Sequence, residues 1–132
     1  MAFIADPVDA SNKLLQLCQW SKKRDDELQG GEGSYIYILE FLRDNSVHSS
    51  DLSKTLVQCI KYPYFVYPEL VAYCMHALKW NEVRDQISLE LIETSDLRLQ
   101  SAFRMVLSGY EDDWNDEGYF TYSLEKPGEI NC

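Results

Sequence analysis

The sequence predicts an all-α domain of about six helices that pair as antiparallel hairpins. Apolar side chains recur every three or four positions in six stretches, which is the spacing that places them on one face of a helix. Proline, glycine and asparagine separate these stretches. The chain has 132 residues, of which 45% are hydrophobic, so we expect one domain over residues 1–132 with a single core.

The first helix is predicted to begin at Asp6, because aspartate is a favourable N-cap and Pro7 lacks only an amide that would be unsatisfied in the first turn. It should run to about Leu28, where the glycines at 30–31 break the pattern. Ser34 is then expected to cap a second helix, since serine side chains accept hydrogen bonds from the first free amides.

The second helix should end at Asn45. A third helix is expected from about Ser50, and Pro63 ends it because proline disfavours helical backbone in the preceding residue. The fourth is predicted to begin near Pro68 and to end at Trp80. These two helices should form the middle hairpin.

The last two helices complete the set of six. Asn81 is expected to cap the fifth, and the sixth should start at Thr94 or Ser95. Gly109 stands where a helix often ends in a left-handed residue.

Short links between the helices predict hairpins of the first with the second, the third with the fourth and the fifth with the sixth. These hairpins recur every 30 to 45 residues, near the period of stacked two-helix repeats. The pattern favours a short α-solenoid and leaves an irregular bundle open.

The cysteines indicate a reduced core rather than a metal site. Cys18, Cys59 and Cys74 fall on the apolar faces of predicted helices, as buried free thiols do. Cys74 and His76 are two positions apart, which on a helix points them to different faces, and Cys132 stands alone. We expect no metal and no cofactor.

The charge distribution argues against nucleic acid as a partner. The net charge is −10, and residues 111–132, with 7 acidic and 1 basic side chains, carry −6 of it. The basic cluster at 22–24 is followed at once by three acids. Phosphate backbones would be repelled by such a field. Without a long apolar run or a secretory start, we expect a cytoplasmic protein with no membrane contact.

The segment 109–132 departs from the helical pattern. Five carboxylates and five aromatic rings lie within residues 110–122. One interpretation is a cap that covers the end of the last hairpin, and the other is a docking patch for a basic protein. The residues assigned to the patch are Glu111, Asp112, Asp113, Trp114, Asp116, Glu117 and Tyr119.

The same segment contains half of a calcium-binding loop. Asp113, Asn115, Glu117 and Gly118 match its first six positions, where oxygen ligands alternate before a glycine. The twelfth position, which needs a bidentate glutamate, is Leu124. Calcium binding is therefore not expected.

The sequence does not suggest an enzyme. Of its two histidines, His48 lies in a polar turn that we expect to be solvated, and His76 lies on a helix beside core positions, where a hydrogen-bonded, half-buried ring is expected. No nucleophile, phosphate-binding or zinc-protease motif is present.

The helical pattern of residues 6–108 and the acidic run at 111–117 together resemble the immunity proteins of bacterial polymorphic and contact-dependent growth-inhibition toxin systems. The helical part also resembles HEAT-type repeats. The resemblance implies a protein that binds a basic toxin domain, such as a nuclease, and neutralises it. The alternative is a helical-repeat adaptor or scaffold that binds another cellular protein, with an enzyme accessory subunit as a third possibility.

Overall fold

The computed structural model describes residues 3–27, 32–61 and 66–111. Within these ranges the chain forms six α helices and one short 3-10 turn and contains no strand, so the predicted all-α class is confirmed. The helices are α1 (Pro7–Glu27), α2 (Glu32–Asp44), α3 (Ser49–Ile60), α4 (Pro68–Leu78), α5 (Asn81–Glu93) and α6 (Leu97–Ser108), and the 3-10 turn spans Ser46–His48. None of these helices has both the length and the apolar character that crossing a membrane requires.

The start of α1 is as predicted, and that of α2 is not. The Asp6 carboxylate accepts a hydrogen bond from the amide of Val8 at 2.8 Å, which caps α1. Ser34 lies inside α2, where its buried hydroxyl is 2.6 Å from the hydroxyl of Ser21 on α1. The Ser34 side chain therefore links two helices instead of capping one.

The junction of α4 and α5 also differs from the prediction. Helix α4 ends at Leu78, because Lys79 adopts the left-handed conformation with φ of 54°. Trp80 is the extended residue before α5, and Asn81 is the first helical residue rather than the cap. A lysine in the left-handed backbone conformation is uncommon, so contacts with the surrounding structure must stabilise this tight link.

Helix α6 begins two or three residues later than predicted. Asp96 caps it, with its carboxylate accepting from the amides of Arg98 at 2.9 Å and Leu99 at 3.4 Å. Thr94 and Ser95 therefore belong to the link, in which the Thr94 hydroxyl accepts from the amide of Asp96 at 3.1 Å.

The helices pack in two rows of alternate members. In one row α3 lies between α1 and α5, and in the other α4 lies between α2 and α6. The rows are joined where α1 packs on α2 and α5 on α6. Helices α3 and α4 are not closely packed, so the predicted middle hairpin is wrong. Stacking of alternate helices is typical of α-solenoids, but the two helices of each solenoid repeat also pack on one another, so the arrangement fits an irregular bundle as well.

One core connects all the described helices. Its buried apolar side chains form a single cluster that reaches from α1 to α6. Each helix contributes at least one fully buried member: Leu14, Ile38, Leu56, Tyr73, Ile87 and Phe103. No described helix therefore packs independently of the others.

The core contains three free thiols, as predicted for Cys18, Cys59 and Cys74. A side-chain hydrogen bond with Cys59, together with burial, raises the pKa of Cys18 well above its ordinary value. Burial also raises the pKa of Cys74. Cys132 lies outside the described residues.

We expect these core thiols to react slowly with a disulfide reagent in native buffer, because all three are buried away from the reagent. For Cys18 and Cys74 the raised pKa also suppresses the thiolate, which is the attacking species. In a Cys132→Ser variant, the reagent should modify the three core thiols only as fast as the protein opens. The same sample in guanidinium chloride should react at once and serves as the control. Rapid modification of any thiol in the native protein would contradict the buried cluster.

The end of α6 differs from the prediction at Gly109, which is helical, with φ of −65°, and not left-handed. Glycine is required at position 109 because a larger residue would not fit there. A Cβ at this position would lie 2.5 Å from the carbonyl oxygen of Ala72 on α4. The His76 ring donates from Nδ1 to the carbonyl of Gly109 at 3.0 Å, so the end of α6 is seated directly on α4.

Replacing Gly109 by alanine should destabilise the protein by about 1–3 kcal/mol, because backbone atoms must move apart to admit the methyl group. Because the φ of Gly109 is helical, the sign of the stability change distinguishes the collision from the ordinary effect of replacing glycine by alanine. Without the collision, the same change would stabilise by about 0.4–1 kcal/mol through the unfolded chain. Urea unfolding of Gly109→Ala measures the sign, and an increase in stability would refute the close approach.

Candidate functional site

Of the residues assigned to the docking patch, the structure describes only Glu111, which is exposed just beyond α6. Asp112, Asp113, Trp114, Asp116, Glu117 and Tyr119 lie outside the described residues, as does the calcium-like loop. The position of Glu111 therefore defines where the acidic segment begins.

Tyr110 anchors that beginning to the link between α4 and α5. Its hydroxyl donates to the carbonyl of Trp80 at 2.7 Å. Burial raises the pKa of Tyr110, so the phenol stays neutral and able to donate. From the other side, the Lys79 ammonium donates to the carbonyl of Tyr110 at 3.5 Å. Glu111 consequently lies near the link between α4 and α5.

Helix α5 has one face in the core and large aliphatic side chains on the other. Val83 and Ile87 are fully buried against the core. On the opposite side, Leu89 is 62% exposed and Ile92 is 80% exposed, and Leu97 at the start of α6 is 78% exposed. Leaving large aliphatic side chains such as Leu89 and Ile92 in water on one side of a helix is unfavourable unless something covers them.

Carboxylates flank these side chains. Helical spacing places Glu82, Asp85, Leu89, Ile92 and Glu93 on one side of α5, and we call this surface the α5 ridge. Its three carboxylates are all exposed. The ridge thus combines an apolar strip with an acidic rim.

The other acids near the ridge already have structural roles. Glu90 forms an ion pair with Lys61, the residue that follows α3, with 3.0 Å between the oxygen and the ammonium nitrogen. Asp96 caps α6.

Two of the ridge carboxylates also have partners in the fold: Glu82 accepts a hydrogen bond from the Ser49 hydroxyl at 3.1 Å, and Asp85 forms an ion pair with Arg84 at 3.5 Å. All three ridge carboxylates remain exposed, so their charge still faces solvent.

The ridge lies near the residue at which the acidic segment begins. The charges of Asp85 and Glu82 both act on the phenol of Tyr110, which is one residue before Glu111. The sequence predicted the acidic segment but not the ridge, because the helical pattern of α5 was used only to identify its core-facing side chains. Leu89 and Ile92, two large aliphatic residues among the acids of the polar face, were the available indication.

Both histidines hold separate parts of the chain together. The His48 ring is half-buried rather than solvated as expected, and its Nε2 donates to the carbonyl of Ile4 at 2.7 Å. The amide of Ile4 donates in turn to the side chain of the buried Asn45 at 2.8 Å. His76 is half-buried and hydrogen-bonded, as predicted.

A second surface feature lies between the first turn of α4 and α6. It is a groove with a volume of about 660 Å³. Its apolar lining includes Ile60, Val66, Leu99, Ala102 and Met105.

Among the described residues, no group of three or more histidine, cysteine, aspartate or glutamate side chains is placed to hold a metal ion. Comparison of the chain with protein-family models, with curated proteins and with solved structures found no match. The α5 ridge and the groove are therefore the described features that bear on the function.

The anchor can be tested with Tyr110→Phe, which keeps the ring and removes the hydrogen bond to Trp80. We expect the free energy of unfolding at neutral pH to fall by about 1 kcal/mol. Tyr37→Phe, at an exposed position of α2, is the matched control and should change little.

The difference between wild type and Tyr110→Phe should shrink as the pH rises above about 10, where tyrosine ionises in the unfolded chain. Because the pKa of Tyr110 is raised in the folded state, the unfolded state binds fewer protons in that range and the wild type loses stability. Urea unfolding at several pH values measures both effects. A difference that stays constant with pH would show that the phenol is not buried as described.

Proposed function

We propose that the protein is a non-enzymatic binding module that neutralises a basic protein, in the manner of a bacterial immunity protein acting on a toxin domain in the cytoplasm. The α5 ridge is the observation that carries this proposal. It presents exposed aliphatic side chains, Leu89 and Ile92, inside a rim of carboxylates on a helix whose other face is fixed in the core.

Each part of the ridge has a separate task in binding. The aliphatic side chains supply affinity, because covering apolar surface is worth about 25 cal/mol per Å². The carboxylates supply specificity, since they attract a basic surface and increase its rate of association. A net charge of −10 extends this attraction beyond the contact itself.

A nuclease toxin domain has the surface that such a ridge requires. Any enzyme that acts on nucleic acid needs a groove of positive charge to hold the phosphates. An acidic protein bound over the nuclease's groove excludes the nucleic acid, because its carboxylates pair with the same cationic side chains. Inhibition then needs no catalytic residue on the inhibitor.

The acidic segment is proposed as the second half of the same contact. Glu111 starts it near the link between α4 and α5, and Asp112, Asp113, Trp114, Asp116, Glu117 and Tyr119 follow. Their carboxylates would extend the acidic rim, and Trp114 and Tyr119 are of the types that dominate interface energetics.

The positions of the histidines support binding rather than catalysis. His48 donates to the carbonyl of Ile4 and His76 to that of Gly109, and each hydrogen bond ties together distant parts of the chain. A general base needs a nitrogen directed at a substrate. The roles described for these rings are structural.

If a toxin gene lies beside the gene for this protein, as the proposal expects, the test uses an inactivated copy of its toxin domain. Ile92→Ser should weaken the complex by at least about tenfold, because it removes an apolar anchor from the centre of the ridge. Asp85→Asn with Glu93→Gln should mainly slow association and reduce its dependence on salt. Surface plasmon resonance at two salt concentrations separates these effects.

Matched controls are available on other helices and turns. Val47→Ser, at a residue that is 72% exposed in the 3-10 turn, and Glu40→Gln, exposed on α2, make the same chemical changes away from the ridge. They should leave binding unchanged. Equal losses in ridge and control variants would remove the ridge from the contact. A toxin domain that does not bind, or a gene with no toxin gene beside it, would refute the immunity function and favour an adaptor.

A further inference from the structure

The groove between α4 and α6 has the size of a small-molecule site. Its volume of about 660 Å³ falls within the range of roughly 300–1,000 Å³ that such sites occupy. Helix α6 lines it from Arg98 to Ser108, which at 1.5 Å per residue corresponds to about 15 Å. The groove is therefore long enough for an extended apolar chain.

The floor of the groove suits such a chain. Leu99, Ala102 and Met105 recur along one side of α6, and the ends of α3 and of the following segment contribute Ile60 and Val66. Met105 adds an unbranched, adaptable side chain that can follow the shape of a flexible ligand.

The rim of the groove carries positive charge in an otherwise acidic protein. Arg98 and Arg104 are exposed and line it from α6, while Glu69 on α4 is half-buried in the opposite wall. Among the charged lining residues that the structure describes, Arg104 is the cation that we assign to a ligand. A guanidinium can bind a carboxylate through two parallel hydrogen bonds, so the rim selects an anionic head group.

We propose that this groove binds a single-chain amphipathic carboxylate, with the chain on the apolar floor and the head group against Arg104. The apolar floor supports a ligand with an alkyl chain, and the exposed Arg104 at the rim supports an anionic head group over a basic or neutral one. The proposal does not depend on the α5 ridge, because the ridge lies on a different helix and has the opposite charge.

The experiment compares three probes with the same ten-carbon chain and different head groups, namely decanoate, decanol and decyltrimethylammonium. Each is titrated into the full chain below the concentration at which it forms micelles, and heat is measured. We expect decanoate to bind at one site, decanol to bind about tenfold more weakly through loss of the charged contact, and the cation not to bind.

Two variants locate the site. Arg104→Gln should weaken decanoate about tenfold and leave decanol unchanged, while Arg43→Gln, exposed on α2, should affect neither. Ser101→Trp places a large ring over the groove from an exposed position and should abolish binding of both. Circular dichroism and urea unfolding confirm that the variants fold, and Arg104→Gln alone decides the outcome if Ser101→Trp does not.

The proposal is overturned if decanoate does not bind, if all three probes bind equally, or if decanoate binds Arg104→Gln as well as it binds the wild type. Binding of an acidic peptide in place of decanoate would overturn it as well, and would identify the groove as a protein contact. Because no toxin domain takes part, the result stands or falls separately from the proposed neutralising function.

Discussion

The contact between the backbone of Gly109 and that of Ala72 determines how the C-terminal half is arranged. An ordinary side chain at position 109 would hold α6 away from α4, since its Cβ would lie 2.5 Å from the Ala72 carbonyl oxygen. With α6 seated, His76 reaches the Gly109 carbonyl and Tyr110 reaches that of Trp80. These contacts set the width of the groove and place the start of the acidic segment near the link between α4 and α5.

Periodicity predicted the helices well, because a buried stripe at helical spacing is a property of the sequence itself. It did not predict the caps. Ser34 and Asn81 were given capping roles on residue type, yet the Ser34 hydroxyl instead meets that of Ser21 across two helices. The partner of a short polar side chain is decided by what packs beside it, which local sequence does not contain. The wrong pairing of α3 with α4 has the same origin, since short links were assumed to join packed neighbours.

The candidate site was only partly predictable for a related reason. Net charge and the acidic run at 111–117 can be read directly from the sequence, and they indicated a basic partner. The α5 ridge depends on exposure, which is a tertiary property. Leu89 and Ile92 are ordinary residues for a helix, and they become informative only because Val83 and Ile87 already fill the core-facing side. The groove was also beyond prediction, since its walls come from segments far apart in the chain.

The two surfaces make opposite demands on what binds them. A basic protein drawn to Asp85 and Glu93 on the ridge would be repelled by Arg98 and Arg104 at the groove, and an organic anion would be repelled by the ridge. At physiological salt, screening over about 8 Å lets each surface act through its own nearest charges. The basic protein proposed for the ridge and the carboxylate proposed for the groove therefore require separate probes, each with its own charge.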